Sequence, residues 1–429
     1  MVPEESEIIV QGQFKQRSST LVQLSTMHRL FAITYLLATH IASSAALPPS
    51  KTIEKRSVCT PSSYGNTLED DTPAITAAIA SCGKGGTIVI PSGTTYSIRS
   101  TLDFTGCSGC ELQLEGTLKV SDDYEYWSSY KSIILISDIT GATITSTTGA
   151  GVIDGNGQDA YDAFAADSSL SRPTLVYITG SSDVTMSGFK VKNPPNVFFS
   201  NTGSSSNVEY ASLTMTASSK STNGPKNTDG FDIGTSTYTT IRNVYVSNQD
   251  DCIAFKPGAN YATVDTVTCA GTNHGVSIGS LGQSGDSTVK NIYVSNLSMS
   301  GCSKAAGIKL YASGPDYGTA TVSNVTYQGV TVDDCDYGLQ IQSCYNGNTS
   351  YCAEYPSTAS LTDVHFNGFS GTTSGKYGSV VANLDCSTDM TCDVYVGDFT
   401  VKPPSGTAEV LCANFDVSPG VTCTSGASG

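Results

Sequence analysis

The sequence predicts an all-β protein, a right-handed parallel β-helix with a short capping helix at its N-terminal end. Its composition favours β-structure, since the 429 residues include 42 glycines and only 14% are charged. From residue 180 onward, one pattern also recurs at intervals of roughly 22 to 34 residues. It consists of Ser, Thr or Gly turn residues followed by alternating β-branched residues, as in SSDVTMSGFKV, SSNVEYASLTM, YTTIRNVYVSN, YATVDTVTCAG, STVKNIYVSNLSM, ATVSNVTYQGVTV and SLTDVHFNGFSG.

Each repeat contains two or three short strand-like runs and no helix long enough for a βαβ crossover. In a parallel β-helix each coil buries its apolar side chains inside and stacks on the next coil at about 4.8 Å. A β-propeller is the alternative, but its blades need about 40 residues and tight hairpins. Because the Asn-Gly and Asp-Gly turns fall at irregular intervals, the β-helix is favoured.

The segment DDTPAITAAIASCG predicts the capping helix. Thr72 is expected as its N-cap and Pro73 at the first helical position. Ile75 and Ile79 are one turn apart and form an apolar side, and a glycine follows the segment. This helix would cover the open end of the first coil.

Residues 1–56 have the features of processing sequence. From Met27 a short basic start, an apolar run and a series of small residues are typical of a secretory signal, with residues 1–26 as an upstream extension. Lys55 and Arg56 form a dibasic site at which a propeptide could be removed, so the mature chain is expected to begin near Ser57. Residues 57–429 are then predicted to be one β-helix domain.

All 14 cysteines lie between Cys59 and Cys423, which in a secreted chain predicts up to seven disulfides. Five pairs are close in sequence and are expected to be bonded: Cys59 with Cys82, Cys252 with Cys269, Cys344 with Cys352, Cys386 with Cys392, and Cys412 with Cys423. A secreted, extracellular protein also makes the sequons at Asn296, Asn324 and Asn348 candidates for glycosylation.

Composition also limits the partners and cofactors. The formal charge of −16 argues against a nucleic-acid partner, which requires a basic face. The apolar run after Met27 is too short to span a bilayer, so no membrane partner is expected. A zinc site is not indicated, because after Ser57 only His274 and His365 remain and the one CxxC lacks a second half. No metal or organic cofactor is expected. The protein is expected to be a monomer, because a β-helix with covered ends has few free edges.

Three aspartates, Asp229, Asp250 and Asp251, lie in two polar segments separated by about one coil. Asp250 is 21 residues after Asp229, His274 is 24 residues after Asp250, and Lys309 is 35 residues further on. If the coils stack in register, these side chains form one column on one face. Carboxylates beside a His and a Lys are the groups that acid and base hydrolysis of a sugar bond needs.

Each aspartate also has a purely structural explanation. Asp-Gly and Asp-Asp pairs are common in turns, because the Asp side chain bonds its own backbone. Neighbouring residues on a strand point to opposite faces, so a bend at Gln249-Asp250 would be needed to bring both aspartates into one groove.

The segments NTDGFDIG, NQDDCIAFKPG, HGVSIGSLG and GIKLY, in that order and spacing, resemble the active-site segments of glycoside hydrolase family 28, the polygalacturonase family. GVIDGNGQDAY and DDTPAITAAI are also similar to that family, so the resemblance covers nearly all of residues 57–429. It implies a catalytic β-helix domain acting on a pectic polysaccharide.

The resemblance also implies roles for individual residues. Asp250 would be the general acid, Asp229 and Asp251 would hold and deprotonate the attacking water, and His274 would tune Asp250. The substrate-binding residues would be Lys309, which pairs with a galacturonate carboxylate, Asn227 and Tyr345. Lys256 and Arg242 are further cations expected to make the groove locally positive.

Two positions depart from the family's pattern: Gly307 stands where an arginine is usual, and Asn273 where a glycine is usual. Loss of the arginine is expected to free volume beside the scissile sugar, which would suit a backbone carrying side groups. Among members of the family the chain is most similar to the fungal xylogalacturonan hydrolases. This similarity implies a secreted, inverting hydrolase of the α-1,4-linked galacturonan backbone that cleaves internal bonds of xylose-substituted chains. The alternatives are an exo-polygalacturonase, a pectin lyase, and a non-catalytic pectin-binding or structural β-helix.

Overall fold

The computed structural model describes residues 56–429, which form a parallel β-helix. The predicted fold class is therefore confirmed. The predicted extension, signal and propeptide lie outside the described residues, apart from Arg56. Within the described range, no helix combines the length and the apolar character that crossing a membrane requires.

The described residues form four helices and 30 strands. The helices are α1 (Thr72–Cys82), α2 (Tyr124–Trp127), α3 (Gln158–Ala166) and α4 (Thr349–Glu354). The strands are β1 (Val58–Cys59), β2 (Thr87–Ile90), β3 (Thr95–Ile98), β4 (Leu102–Asp103), β5 (Ser108–Leu114), β6 (Thr117–Val120), β7 (Ser132–Ser137), β8 (Thr140–Thr145), β9 (Val152–Asp154), β10 (Thr174–Thr179), β11 (Ser182–Ser187), β12 (Lys190–Lys192), β13 (Phe199–Thr202), β14 (Ser205–Ala211), β15 (Thr214–Thr216), β16 (Phe231–Ile233), β17 (Ser236–Ser247), β18 (Ile253–Phe255), β19 (Ala259–Ala270), β20 (Val276–Leu281), β21 (Ser287–Ser300), β22 (Lys304–Leu310), β23 (Ala320–Cys335), β24 (Tyr337–Gln342), β25 (Ser360–Thr373), β26 (Val380–Asp385), β27 (Thr391–Gly397), β28 (Thr400–Lys402), β29 (Glu409–Ala413) and β30 (Cys423–Ser425).

The strands form two parallel sheets, one of 18 and one of 12 strands. The smaller sheet, which we call the site sheet, contains β4, β7, β10, β13, β16, β18, β20, β22, β24, β26, β29 and β30 in that spatial order. Because each of its strands comes from the next coil, a residue of one coil lies directly beside its counterpart in the following coil. Phe231 pairs with Ile253, and Ile253 pairs with Val276.

The interior of the coils is apolar and closely packed. The ring of Phe231 stacks on that of Phe199 with 5.4 Å between centroids, and it meets Tyr210 edge-on. All three side chains are fully buried. Such aromatic contacts add to the free energy gained by burying the rings, so the strand that follows Asp229 is fixed from beneath.

The capping helix α1 is present as predicted, but its N-cap is Asp71 and not Thr72. Thr72 is already helical, and its backbone N–H donates to the Asp70 carboxylate at 3.0 Å. The Asp71 carboxylate is buried and accepts backbone N–H groups of Tyr64 and Ser97, both at 2.8 Å. The aspartate therefore ties the helix entry to the first coils instead of capping the helix with its side chain.

The cysteines form seven disulfides. The five predicted pairs are confirmed. The other two disulfides are Cys107–Cys110 and Cys302–Cys335. The CxxC segment is thus a disulfide and not half of a metal site.

The three sequon asparagines are all exposed. Asn324 and Asn296 lie on the outside of the larger sheet, where their Nδ2 atoms donate to Asn291 and Asp265, both at 2.7 Å. Asn348 is the N-cap of α4. Exposure is compatible with glycosylation at each of them, which stays a prediction.

Candidate functional site

An open cleft of about 500 Å³ lies over the site sheet, at the segments that lead into its strands. It is lined by Phe164, Leu170, Ser171, Arg172, Asn196, Val197, Asn227, Asp229, Asp232, Asp250, Asp251, Lys256, Ser280, Lys309 and Tyr345. All three predicted catalytic aspartates therefore meet in one cleft. All three predicted substrate-binding residues line it too.

The strand register continues into the segments that carry the acids. The strand residues Phe231, Ile253 and Val276 are paired in register. Two residues before them lie, in the same order, Asp229, Asp251 and His274. Backbone bonds confirm this arrangement, because Gly230 donates to the Asp251 carbonyl and His274 to the Asp250 carbonyl, both at 2.9 Å. The predicted column thus exists, but its second member is Asp251 and not Asp250.

Lys304, and not Lys309, occupies the next equivalent position of that column, since Val276 pairs with Ala306. Lys309 is opposite Gly279, further along β22, and its side chain reaches back to Asp251. Spacing alone therefore assigned Lys309 to the right cleft but to the wrong position in the column.

The predicted bend at Gln249-Asp250 is present. Asp250 lies in a bend between β17 and β18, so strand alternation does not apply to the two neighbouring aspartates. Lys226 pairs with Gln249, and Phe231 pairs with Ile253. Between these two pairs the earlier coil has one residue more than the later coil. Asn227, within this longer segment, has a φ of 58°, a left-handed conformation that asparagine tolerates. Both aspartates consequently face the cleft.

The side chain of Asn248 connects the two acid-bearing segments from inside. It is buried, and its Nδ2 lies within hydrogen-bond distance of the backbone carbonyls of Thr228, Asp250 and Asp251, at 2.7, 3.1 and 2.9 Å. Buried carbonyl groups that lack a donor cost free energy, so this one amide stabilises both segments. Nothing in the sequence pattern distinguished it from an ordinary turn residue.

Asn273 serves the neighbouring coil in the same way. Its Oδ1 accepts the backbone N–H of Gly275 at 2.9 Å, and its Nδ2 contacts the carbonyls of Gly271 and Ser300. The departure from glycine at this position therefore gives the segment before His274 a side-chain anchor.

The lysines of the cleft are paired with its acids. Lys256 lies 3.3 Å from both Asp229 and Asp232, and the buried Lys309 lies 2.5 Å from Asp251. Asp232 and Lys256 lie within the same two segments as the aspartates. The ion pairs that they form could not be inferred from spacing. The predicted contact between Lys309 and a substrate carboxylate thus competes with an internal ion pair.

Asp250 has contacts of a different kind. Its Oδ1 lies 3.1 Å from Nδ1 of His274 and accepts the backbone N–H of Asp251 at 2.8 Å. Its Oδ2 accepts from Nδ2 of Asn227 at 3.3 Å, and Oδ1 of Asn227 accepts from Arg172 at 2.7 Å. The predicted contact between His274 and Asp250 is therefore present, and Asn227, which was expected to bind substrate, also orients Asp250.

The comparison with known proteins decides the family. The model for glycosyl hydrolases family 28 matches residues 82–424. The chain belongs to this family.

Its relatives include endo-xylogalacturonan hydrolase A of Aspergillus tubingensis, which is 56% identical over 405 residues, 93% of this chain and 100% of the relative. A probable endo-xylogalacturonan hydrolase A of Aspergillus niger is 57% identical over 381 residues, 89% of this chain and 94% of the relative. The crystal structure of endo-xylogalacturonan hydrolase from Aspergillus tubingensis matches with a TM-score of 0.86 and 58% identity, covering 87% of this chain and 100% of that one.

The family 28 exopolygalacturonase of Yersinia enterocolitica is a more distant match. It has a TM-score of 0.61 and 18% identity, covering 84% of this chain and 78% of that one. At this identity the match shows a shared fold alone.

In this family 28 hydrolase, burial and charge separate the pKa values of the acids. Burial, together with the charge of Asp232, raises the pKa of Asp229 well above its usual range. Burial alone would also raise the pKa of Asp250, but the hydrogen bond and charge of His274 lower it to about 2. The free cleft therefore favours a proton on Asp229 and a negative charge on Asp250.

The expectation of free volume at Gly307 is wrong. A Cβ at this position would lie 2.7 Å from Cδ and 2.9 Å from Cε of Lys304. The backbone carbonyl of Gln340 is also 2.7 Å away, so this carbonyl and the lysine side chain occupy the space that a larger side chain at 307 would need. Burial, and next the charge of Lys309, lowers the pKa of the Lys304 amine to about 8.

Two other expectations differ in outcome. Tyr345 lines the cleft, and its ring centre lies 5.5 Å from Nζ of Lys309. Arg242 does not contribute to the cleft, because it is on the larger sheet, where it pairs with Glu209 at 2.6 Å.

Asp250, Asp251 and His274 form a group whose ligand atoms lie within 4.8 Å of one another, which is close enough to surround one cation. One oxygen of each carboxylate is already in use, however, and the partner of Asp251 is a cation. Oδ1 of Asp250 contacts His274 and Oδ2 of Asp251 binds Lys309. The arrangement is better suited to moving protons than to holding a metal ion.

The raised pKa of Asp229 predicts a specific pH dependence of stability. As pH rises above the usual carboxyl value of 3.8, the unfolded chain releases this proton before the folded protein does. The free energy of unfolding therefore falls until the pH exceeds the raised pKa of Asp229 in the folded protein. Asp229→Asn removes this loss, and its Tm relative to wild type is expected to increase between pH 3.5 and pH 7 (roughly the range that the carboxyl titration spans).

Asp250→Asn is the matched control with the opposite sign. The depressed pKa of Asp250 contributes stability that is present above the usual carboxyl value and is lost as pH falls towards about 2. Its Tm relative to wild type should therefore decrease as pH rises from about 2 to 4. The same slope for both variants would contradict the assigned pKa directions.

Proposed function

We propose that this family 28 glycoside hydrolase cleaves the α-1,4-linked galacturonan backbone of pectin, at internal bonds of chains that carry xylose. The observation that carries the proposal is the cleft in which Asp229, Asp250 and Asp251 meet on adjacent coils. The substrate class is supported by relatives with 55% identity or more along most of their length, which are named as endo-xylogalacturonan hydrolases.

Asp250 is the general acid in this proposal. Its side chain is 17% exposed, compared with 8% for Asp229 and 1% for Asp251, so it is the carboxyl that can best approach a glycosidic oxygen. The hydrogen bonds from Asn227 and from the backbone of Asp251 fix its orientation. A positioned acid is what protonation of a leaving oxygen requires.

Asp229 and Asp251 activate the water. Oδ1 of Asp251 is buried and has no hydrogen-bond donor among residues 56–429, so it is an acceptor available for a water proton. Oδ2 of the same carboxylate is held by Lys309. Water attacks the anomeric carbon and loses a proton to this acid pair, while the leaving oxygen takes the proton of Asp250, and the configuration is inverted.

The free cleft favours a proton on Asp229 and not on Asp250, so substrate binding must shift this proton to Asp250 before the reaction. A bound uronate carries its own negative charge and excludes water from Asp250. Both effects disfavour a second anion and raise the pKa of that carboxyl. Protonation of Asp250 is then a property of the complex, and Asp229, whose pKa is raised in the same cleft, is a group from which this proton can come.

Secretion and a monomeric state belong to the same proposal. The seven disulfides fit an oxidising compartment, in which a pectin-degrading enzyme would work. The exposed sequons would carry glycans there. Size determination of the secreted protein before and after glycan removal would test both points.

The substrate is tested by digesting xylogalacturonan and unbranched polygalacturonate side by side and sizing the products over time. We expect a range of oligosaccharides from xylogalacturonan, a lower rate on the unbranched polymer, and inverted configuration at the new reducing end. Release of monomer alone from the unbranched polymer would favour an exo-polygalacturonase. A product with ultraviolet absorbance from an unsaturated sugar would indicate a lyase, and no turnover of either polymer a binding protein.

The roles of the acids are tested with Asp250→Asn and its matched control, Asp229→Asn. Loss of the general acid is expected to lower kcat on the polymer by roughly 10²–10⁴-fold. On an aryl glycoside whose leaving group needs no proton, Asp250→Asn should lose far less activity, whereas Asp229→Asn should be equally impaired on both substrates. If Asp229→Asn, and not Asp250→Asn, keeps more of its activity on the aryl glycoside than on the polymer, the two roles are exchanged.

A further inference from the structure

Arg172 is a cation in the cleft for which the sequence pattern predicts no role. It lies between α3 and β10, and its guanidinium lies over the ring of Phe164, with 3.6 Å from Cζ to the ring centre. Both residues line the cleft that contains the acids. Stacking on an aromatic face restricts the long side chain before any ligand arrives.

Three acceptors hold the guanidinium in place. Its Nη1 donates to the carbonyls of Pro195 and Lys226 at 3.0 and 2.8 Å, and its Nη2 donates to Oδ1 of Asn227 at 2.7 Å. These bonds use both hydrogens of Nη1 and one of Nη2. Within residues 56–429, Nε has no hydrogen-bond partner, and Nε and Nη2 form one edge of the planar group.

The charges of the cleft distinguish Arg172 from its other cations. Lys256 is paired with Asp229 and Asp232, and Lys309 with Asp251. Arg172 forms no ion pair with any carboxylate of the described part of the chain. It is therefore the lining cation whose charge is left for an anionic ligand.

We propose that Arg172 binds the carboxylate of a backbone uronate next to the bond that is cleaved, using the free edge of its guanidinium. The inference rests on the proposed function. A planar guanidinium held in advance can bind a carboxylate through two parallel hydrogen bonds, which a lysine cannot do. The carboxylate contact assigned by resemblance to Lys309 is then made by a residue from a different coil.

The same side chain also orients the acid. Because Arg172 donates to Oδ1 of Asn227, the amide presents Nδ2 to Oδ2 of Asp250. A uronate bound to Arg172 thus lies one residue away from the carboxyl that protonates the leaving oxygen. Substrate binding and acid placement are linked through a single asparagine.

The test compares trigalacturonate with its methyl ester as competitive inhibitors of xylogalacturonan hydrolysis. In Arg172→Gln the inhibition constant for the free acid is expected to rise roughly 10- to 100-fold, because a charged hydrogen-bonded pair is lost. The constant for the methyl ester should change by less than about threefold, the loss of one weak neutral contact. Arg172→Lys should fall between wild type and Arg172→Gln for the free acid.

Arg242→Gln is the matched control, since it removes an arginine that pairs with Glu209 away from the cleft. Its inhibition constants should equal those of the wild type, and thermal unfolding shows whether each variant is folded. Should a folded Arg172→Gln retain too little activity for inhibition kinetics, calorimetric titration with the two ligands gives the same ratio.

Equal weakening for the acid and the ester, or no weakening for either, would overturn the assignment of Arg172. Neither outcome would affect the proposed function. Conversely, a wild-type protein that hydrolyses no galacturonan would refute the proposed function, whatever the variants bind.

Discussion

The buried amide of Asn248 is the contact on which the site depends. It binds carbonyls of both segments that carry the acids, and so it fixes Asp229 relative to Asp250 and Asp251. Stacked coils bring the two segments near each other, but parallel strands alone would place neighbouring side chains on opposite faces. The bend that Asn248 stabilises turns both neighbouring aspartates into the cleft.

Once the acids are fixed, the charge balance of the cleft follows. Four carboxylates and three cations line it, and the two lysines are neutralised internally. This explains how a chain with a formal charge of −16 can act on an anionic polymer. Overall charge governs solubility and long-range approach, whereas the unpaired guanidinium of Arg172 and the internal pairing of the two lysines decide the potential where the sugar lies.

The fold and most of the acid cluster could be predicted from the sequence, for physical reasons. A coil must bury the same kind of side chain at each turn, so the repeat is visible, and acids one coil apart necessarily stack. The bend at Asp250 was inferred because strand geometry required it. The N-cap of α1 was misplaced by one residue, since Asp71 and Thr72 are both good capping residues.

The contacts that depend on side-chain reach could not be predicted. Lys309 extends back to Asp251 from β22, and the stem of Lys304 crosses above Gly307. Arg172 donates a hydrogen bond to Asn227, which is 55 residues later in the chain. Arg172 lies in a loop that has no repeat pattern. Spacing identifies which residues share a column, but it does not indicate which long side chains enter the column from elsewhere.

The most direct test is a crystal structure of Asp250→Asn bound to a xylose-bearing galacturonate oligosaccharide. We expect a glycosidic oxygen within hydrogen-bond distance of side chain 250, and the carboxylate of an adjoining uronate on the free edge of Arg172. The pair between Lys309 and Asp251 should persist. An oligosaccharide bound outside this cleft, or a carboxylate on Lys309 with that pair broken, would contradict this expectation.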